Sequence, residues 1–433
     1  MTDKFSHQPD TVDLDVLYLG WQREAIEALQ GFGGRVTCVV SSSDRFKPAE
    51  EGFEGAVAVA RDHTCVEDIL GALAGLASAP DRFRAVCSED EFAIVTAAVL
   101  SHLVSEQAGS AHDALALRDK AFQKRLIRAA GIPTADYAHF ADLDAVRMAV
   151  RSGEVATPFV IKPPAGAGSQ HTRVIRDEEG EKGDVDALAA FGREAGATAG
   201  PWLIEKFISG EELHVDGAVR DGTVLVASAS RYLHNVIEVH HGRLIASATL
   251  DEDAERELFD GVIRLTERAL AALGHTDGVF HLEAFHDAGD LIFSECAGRI
   301  GGGMILEAVR GKYGVDLYHE WAAAVLGVPS PASLSVREPL KDSFGWANLT
   351  TPPGRIRSLP TRELIKARPG VVEGQLWAKA DEVVGDMRQA SHLLVAKALV
   401  RAPSEATARS QLRAVSAWFT DSARVDRLGD DHE

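Results

Sequence analysis

The sequence predicts an α/β and α+β protein of several lobes, and three observations carry that prediction. The first hundred residues alternate strand-like apolar runs with amphipathic helical runs. The middle of the chain is rich in paired strand signals separated by turn residues. Finally, 433 residues are too many for one hydrophobic core; at about 100–200 residues per domain, roughly two to four units are expected.

In chain order, Val16 to Leu19, Val36 to Val40, Ala56 to Ala60 and Phe83 to Cys87 read as strands, with helices near Arg23 to Gln30, Val66 to Leu76 and Glu91 to Leu103. This alternation is that of a parallel sheet. Gly20 ends the first strand, where it could admit a ligand at the sheet's carboxyl edge. Gly20-Trp21-Gln22-Arg23 lacks the three glycines of a dinucleotide fingerprint, so no nicotinamide cofactor is expected.

A helical pattern then runs from Ala114 to Ala130 and stops at Gly131-Ile132-Pro133. It contains Lys120, which by itself fits a solvated surface as well as a site. After a helix from Ala141 to Ser152, the strand Pro158 to Lys162 delivers a lysine into Pro163-Pro164-Ala165-Gly166-Ala167-Gly168-Ser169. Small residues there let backbone N–H groups approach phosphate oxygens, with Lys162 as a point charge beside them. The lysine precedes the glycines, so this is not a Walker loop. Trp202 to Lys206 and Leu213 to Gly217 read as strands about a Ser209-Gly210 turn. The backbone from Glu205 to Ile208 could read an adenine edge and a nearby acid a ribose hydroxyl, or the whole could be a solvated hairpin. Strands at Gly222 to Ala229 and Arg243 to Ala248 precede a helix from Glu255 to Leu273.

Val279 to Phe285 and Leu291 to Cys296 then form a hairpin about Asp287-Ala288-Gly289-Asp290. Pairing across that turn sets Glu283 nearly opposite Glu295. Facing carboxylates are unfavourable unless a cation lies between them or both meet water, and hard oxygen ligands suit magnesium. Arg299 and Gly301-Gly302-Gly303 follow at once.

Composition excludes several partners. The chain has 45 Lys+Arg against 65 Asp+Glu, a net charge of −20, which argues against a nucleic-acid backbone or an anionic membrane. No apolar run reaches membrane-spanning length, and Met1 to Asp15 lacks the basic start and apolar core of a signal peptide, so a cytoplasmic protein is expected. Cys38, Cys65, Cys87 and Cys296 form no CxxC pair, and buried thiols are expected rather than disulfides or zinc ligands.

Taken in order, a helical lysine, Val160-Ile161-Lys162-Pro163 with its glycine loop, Ile204-Glu205-Lys206-Phe207-Ile208-Ser209-Gly210-Glu211-Glu212-Leu213-His214-Val215-Asp216, two hairpin glutamates and an arginine resemble the ATP-grasp superfamily. The resemblance covers about residues 115 to 310. It implies an ATP-grasp fold with an N-terminal α/β lobe (1–112), a core (113–330, with a nucleotide lid at about 155–218) and a small C-terminal α+β lobe (331–433). The implied reaction joins a carboxylate to an amine through an acylphosphate and releases ADP and phosphate. Phosphoryl transfer needs alignment and charge neutralisation more than a covalent group, which agrees with the residues present.

The resemblance further implies that Lys120 and Lys162 touch ATP phosphates under a flap of Gly166, Gly168 and Ser169. Glu205, Lys206 and Ile208 match the adenine linker and Glu212 the ribose-binding acid, with His214 near the nucleotide. Glu283 and Glu295 match the carboxylates for Mg2+, two ions being expected with Mn2+ as a substitute. Arg299 matches the arginine that steadies the acylphosphate, and Gly302 and Gly303 would offer N–H groups to the same oxyanions. Most members have Asn where this chain has Ala297, so water or another side chain would complete the metal shell. Glu295-x-Ala297-x-Arg299 before glycines and Met304-Ile305 looks like the L-amino-acid ligases.

The strand signals around Gly354 to Ile356, Pro369 to Val372 and Leu393 to Val400, with a helix from Ser404 to Phe419, loosely resemble the end lobe of biotin carboxylases and amino-acid ligases. Arg231, Tyr232, His234, Asn235, Glu238, His240 and His241 crowd a segment between strands; of these His234, Glu238 and His240 are candidates for an acceptor pocket. Arg310 could hold a substrate carboxylate or cap a helix. The partners expected are a small-molecule carboxylate and amine, with a homodimer left open. The alternatives are a bicarbonate-dependent carboxylase and a catalytically degenerate ATP-binding regulatory protein.

Overall fold

The computed structural model describes residues 14–76, 82–176, 188, 191–192, 200–334, 339–386, 388 and 393–426. It divides into two compact units, one of residues 1–114 with 318–334 and one of 115–317 with 335–433.

In the first unit, β1 (Asp15–Leu19), β2 (Arg35–Ser41), β3 (Ala56–Ala60) and β4 (Ala85–Cys87) form a parallel sheet ordered β3-β2-β1-β4. Leu17, Leu19, Val39, Ala58, Ile69 and Leu100 make its core with the connecting helices, as the alternating apolar runs require. The segment Tyr318–Leu334 packs here: Trp321 meets the Tyr18 ring edge-on at 6.2 Å, and Gln22 Nε2 donates to Tyr318 Oη at 2.8 Å.

The second unit begins with a break. The expected continuous helix from Ala114 to Ala130 is two helices, Ala111–Ala116 and Lys120–Ala129, because Asp119 caps the second by accepting from the Phe122 N–H. Next, β5 (Tyr137–Phe140), β6 (Phe159–Lys162), β7 (Arg173–Ile175) and β8 (Trp202–Lys206) form an antiparallel sheet ordered β5-β8-β6-β7. Phe159, Ile161, Trp202 and Ile204 pack its inner face against Val146 and Val150 of the helix Leu143–Arg151. Part of the expected nucleotide lid, residues 177–187, 189–190 and 193–199, lies outside the described residues.

The main sheet contains β9 (Glu211–Arg220), β10 (Thr223–Tyr232), β11 (Ala246–Thr249), β12 (Gly278–Asp287) and β13 (Asp290–Ala297). The C-terminal strands are β14 (Ser343–Leu349), β15 (Gly354–Ser358), β16 (Val371–Leu376), β17 (Val383–Val384), β18 (Ala396–Ala402) and β19 (Arg424–Asp426). The main order is β13-β12-β9-β10-β11-β14-β18-β16, and β17-β15-β19 stand apart. The C-terminal strands therefore divide: β15, with Gly354 to Ile356, makes a small sheet with β17 and β19, whereas β14 pairs with β11 and carries β18 and β16 onto the main sheet. For the same reason the compact units do not divide at 330/331. Arg231 and Tyr232 are likewise within β10, not between strands.

One face of the main sheet is apolar. Leu213, Val215, Leu282, Ala284 and Phe293 pack on Val262, Leu265, Ala269 and Leu270 of the helix Arg256–Leu273, whose 3.6-residue spacing places these side chains along one stripe. Each fully buried Val, Leu or Phe stabilises this contact by about 1.5–3 kcal/mol. The helix ends at Gly274, at φ 74, which a residue with a Cβ would adopt only under strain.

Candidate active site

The other face is polar, by strict alternation. On β9, Glu212, His214 and Asp216 face away from Leu213 and Val215; on β12, His281 and Glu283 face away from Leu282. Register then assembles a lattice. His281 stands opposite Asp216 on one side and Ala297 on the other, and Glu283 stands opposite His214 and Glu295. The turn at Ala288 (φ 51) and Gly289 (φ 93) has positive φ at both central residues and sets the register from Asp287 opposite Asp290 to Ala284 opposite Phe293; unbroken, it would bring Glu283 opposite Ser294. The expected pairing of Glu283 with Glu295 is present. A bulge makes that pairing: Ala284 pairs with Phe293, Ser294 is left outside the ladder, and Glu295 moves opposite Glu283.

Four cationic side chains reach this lattice or its rim. Lys120 Nζ lies 3.5 Å from Glu295 Oε2 and Lys162 Nζ lies 3.5 Å from the same oxygen. Lys162 also lies 3.2 Å from Glu205 Oε1, which Lys124 Nζ approaches at 3.4 Å. Burial works against the Lys162 charge, but Glu205 and Glu295 outweigh it and hold its pKa above the usual lysine value. Burial likewise opposes the Glu295 charge, yet Lys120 and Lys162 bring it down to about 2. Lys124, on the helix face of Lys120 one turn on, is fully buried, and burial lowers its pKa despite Glu205. It also donates to Thr134 Oγ1 at 3.0 Å and to the bulge carbonyl of Ser294 at 3.1 Å. The fourth, Arg118, donates to the Gly166 carbonyl at 3.2 Å and to that of Ala165.

Lys120 Nζ meets the Gly166 carbonyl at 2.9 Å, so the glycine loop is tied to the first turn of the helix Lys120–Ala129. Gly168 and Ser169 follow at φ 60 and 58. Glu205, read as part of an adenine linker, turns its carboxylate to the two lysines, and its strand is paired on both edges. Lys206 is exposed and Ile208 half-buried beyond it. Glu212 is buried and accepts from the Val236 N–H at 2.6 Å; burial and then Glu283 raise its pKa.

His214 departs from expectation. Its ring is buried, Nδ1 bonds Asp216 Oδ2 at 2.5 Å and Nε2 bonds Ser247 Oγ at 2.7 Å, so both nitrogens are used within the protein and neither can contact a nucleotide. Arg310 also departs: Ile305, Ala308, Val309 and Lys312 form the buried side of its helix, which turns Arg310 outward to pair with Asp316. His234 and Glu238 stand 3.8 Å apart, and burial lowers the His234 pKa. His240 Nδ1 bonds the Arg388 carbonyl at 2.7 Å, away from the glutamates' ladder.

Arg299 is half-buried just beyond β13 and donates to the Ile300 carbonyl at 2.9 Å. The glycines after it differ in their reasons. A Cβ on Gly301 would stand 2.6 Å from His281 Nδ1 and 2.8 Å from Asp216 Oδ1; one on Gly303, at φ 74, would enter the Trp346 ring. A Cβ on Gly302 would meet nothing within 4 Å.

The residues missed from the sequence are Lys124, Asp216, Tyr232 as a partner of Glu283, and His281. Lys124 was legible as Lys120 plus four, and the others as polar residues alternating with apolar ones in strands.

A family model described as an ATP-grasp domain matches residues 155–307. An L-arginine-specific L-amino acid ligase of Bacillus subtilis is 24% identical over 311 residues, 71% of this chain and 73% of that one. The crystal structure of an L-amino acid ligase from Bacillus licheniformis superposes with a TM-score of 0.72 at 17% identity, covering 96% of this chain and 99% of that one. A carboxyaminoimidazole ribonucleotide synthase from Aspergillus clavatus, complexed with ATP, gives 0.70 at 16% identity over 94% and 99%. Residues 155–307 are an ATP-grasp domain, and the chain has the ATP-grasp fold.

Proposed function

We propose that the chain is an ATP-dependent ligase that joins the carboxylate of a small amino-acid-like molecule to an amine, giving a peptide or amide with ADP and phosphate. The observation that carries this reading is the pairing of Glu283 with Glu295 beside Lys120 and Lys162. The donor set fits a hard divalent cation. Tyr232 Oη and His281 Nε2 both address Glu283 Oε1, and both lysines address Glu295 Oε2. Among the described residues, Glu283 Oε2 and Glu295 Oε1 have no hydrogen-bond partner, so each acid has an oxygen to offer.

Mg2+ held there with ATP would neutralise charge on the phosphates and align the terminal one. Lys120 and Lys162 bind phosphate oxygens, exchanging their contacts to Glu295 for the ligand, while Gly166, Gly168 and Ser169 cover them. Glu212 orients the ribose, and the backbone between Glu205 and Ile208 meets the adenine. The substrate carboxylate oxygen attacks the terminal phosphorus, the bond to ADP breaks, and an acylphosphate forms. Arg299 with the N–H groups of Gly302 and Gly303 steadies that mixed anhydride. The amine then attacks its carbonyl carbon, phosphate departs with the bonding pair, and the amine proton passes to solvent.

The relative's L-arginine specificity supports an amino-acid substrate class. ADP release should require two substrates, a carboxylate and an amine, in a screen of single amino acids, amino-acid pairs and bicarbonate. Release with bicarbonate alone would support carboxylation instead, and ATP binding with no release in any arm would support a regulatory role. Hydroxylamine should trap a hydroxamate from a turnover-competent carboxylate. Glu283→Ala and Glu295→Ala should each abolish turnover in a folded protein, and activity in either would remove the metal assignment.

A further inference from the structure

His214, Asp216 and His281 cluster closely enough to resemble a metal centre of their own. Their spacing argues against one. His214 Nδ1 and His281 Nδ1 stand 2.5 and 2.7 Å from the two oxygens of Asp216, which are hydrogen-bond lengths. Ligands held by bonds of about 2.0–2.1 Å at tetrahedral angles stand roughly 3.3 Å apart. The three side chains instead form part of a chain of hydrogen bonds from Ser247 through His214, Asp216 and His281 to Glu283, where Tyr232 joins from β10.

That chain ends on one atom. His281 Nε2 lies 3.3 Å and Tyr232 Oη 3.2 Å from Glu283 Oε1. Asp216 fixes the ring that makes the first contact, and His214 fixes Asp216 from behind. Two features of the sequence make room for it. Ala297, directly across the ladder from His281, projects only a methyl group beside the imidazole. Gly301 presents no Cβ, where one would lie 2.6 Å from His281 Nδ1.

We propose that His281, held by Asp216 and His214, is a positioning residue that with Tyr232 occupies Oε1 of Glu283, so that only Oε2 is presented to the metal. The proposal rests on the reading of Glu283 as a metal-binding carboxylate. It makes Glu283 a one-oxygen ligand, which suits Mg2+ and Mn2+, with their octahedral shells, better than Ca2+, which takes bidentate carboxylates. Partners of metal ligands commonly change metal affinity about 10–100-fold when replaced.

The test uses the full chain with ADP, counting free Mn2+ by electron paramagnetic resonance. His281→Asn keeps a donor near Asp216 but is too short to reach Glu283, so it should weaken Mn2+ binding at least about tenfold. Its affinity for ADP without metal should stay within about twofold, which separates a positioning role from general damage to the site. Tyr232→Phe, which removes only a hydroxyl, should weaken Mn2+ severalfold and supplies the test alone if His281→Asn does not fold. Wild-type Mn2+ affinity in the folded variants would overturn the proposal, as would a nitrogen coupling showing imidazole bound directly to Mn2+. Glu283→Gln is the control for the underlying reading. If it binds Mn2+ as well as the wild type, that reading itself fails; if it loses Mn2+ while His281→Asn does not, only the positioning role fails.

Discussion

Glu205→Gln should destabilise the second unit by about 3–5 kcal/mol, the usual cost of breaking a buried ion pair. Glu205 Oε1 lies 3.4 Å from Lys124 Nζ and 3.2 Å from Lys162 Nζ. At an effective dielectric of about 20, a 3.4 Å pair attracts by about 5 kcal/mol. Lys162 keeps Glu295 after the substitution, whereas Lys124 keeps hydrogen bonds to Thr134 Oγ1 and the Ser294 carbonyl and only the weaker attraction of Glu295. A buried lysine without a counter-charge can instead lose its proton. Starting from a reference pKa of about 10.4, that escape costs roughly 4–5 kcal/mol at pH 7 and sets the ceiling. Chemical denaturation without nucleotide or metal measures the loss. Lys124→Met added to Glu205→Gln removes the stranded charge, so the double variant should be more stable than the sum of the single effects by roughly 1–3 kcal/mol. Additive effects, or a Glu205→Gln protein within about 1 kcal/mol of wild type, would refute the account of Glu205 as the counter-charge that keeps two buried lysines ionised.

Two further outcomes follow from the same face of the sheet. Gly301→Ala places a Cβ 2.6 Å from His281 Nδ1 and should cost about 1–3 kcal/mol in denaturation, while Gly302→Ala, with nothing within 4 Å, should change stability by no more than about 1 kcal/mol. Alkaline pH should weaken the folded protein through His281. Burial opposes its charge, but Asp216 and Glu283 raise its pKa from 6.5 to about 10, so the stabilisation is complete below about 6.5 and is lost as pH rises through about 10. Thermal midpoints in EDTA should fall across that window, and His281→Asn should flatten the fall; an equal slope in both proteins would contradict it.

The parts legible in the sequence were those fixed by local rules. The parallel sheet of the first unit follows from apolar runs separated by amphipathic helices. The hairpin follows from its two-residue turn, which by itself would set Glu283 opposite Ser294; the bulge at Ser294 moves Glu295 into that place, so only the near-pairing of the two acids was legible. What escaped depends on partners distant in the chain. That β14 joins β11, and so carries β18 and β16 onto the main sheet, is decided by apolar burial over about a hundred residues of separation. Asp119 broke an apparently continuous helix because an N-cap satisfies an N–H that the helical period alone does not reveal.

The same distinction explains how His214 was misplaced and His281 missed. His214 follows Glu212 by two residues, and that spacing correctly sets both on the polar face. What the spacing cannot show is who stands on the next strand. Register brings Asp216 against His281 and His214 against Glu283, converting separate polar residues into one bonded chain. A buried imidazole with both nitrogens satisfied inside the protein acts on a ligand only through what it holds. The same reasoning applies to Ala297. Its methyl group supplies no oxygen, but its place opposite His281 leaves the imidazole beside Glu283, so the small residue shapes that acid's surroundings by the neighbour it accommodates.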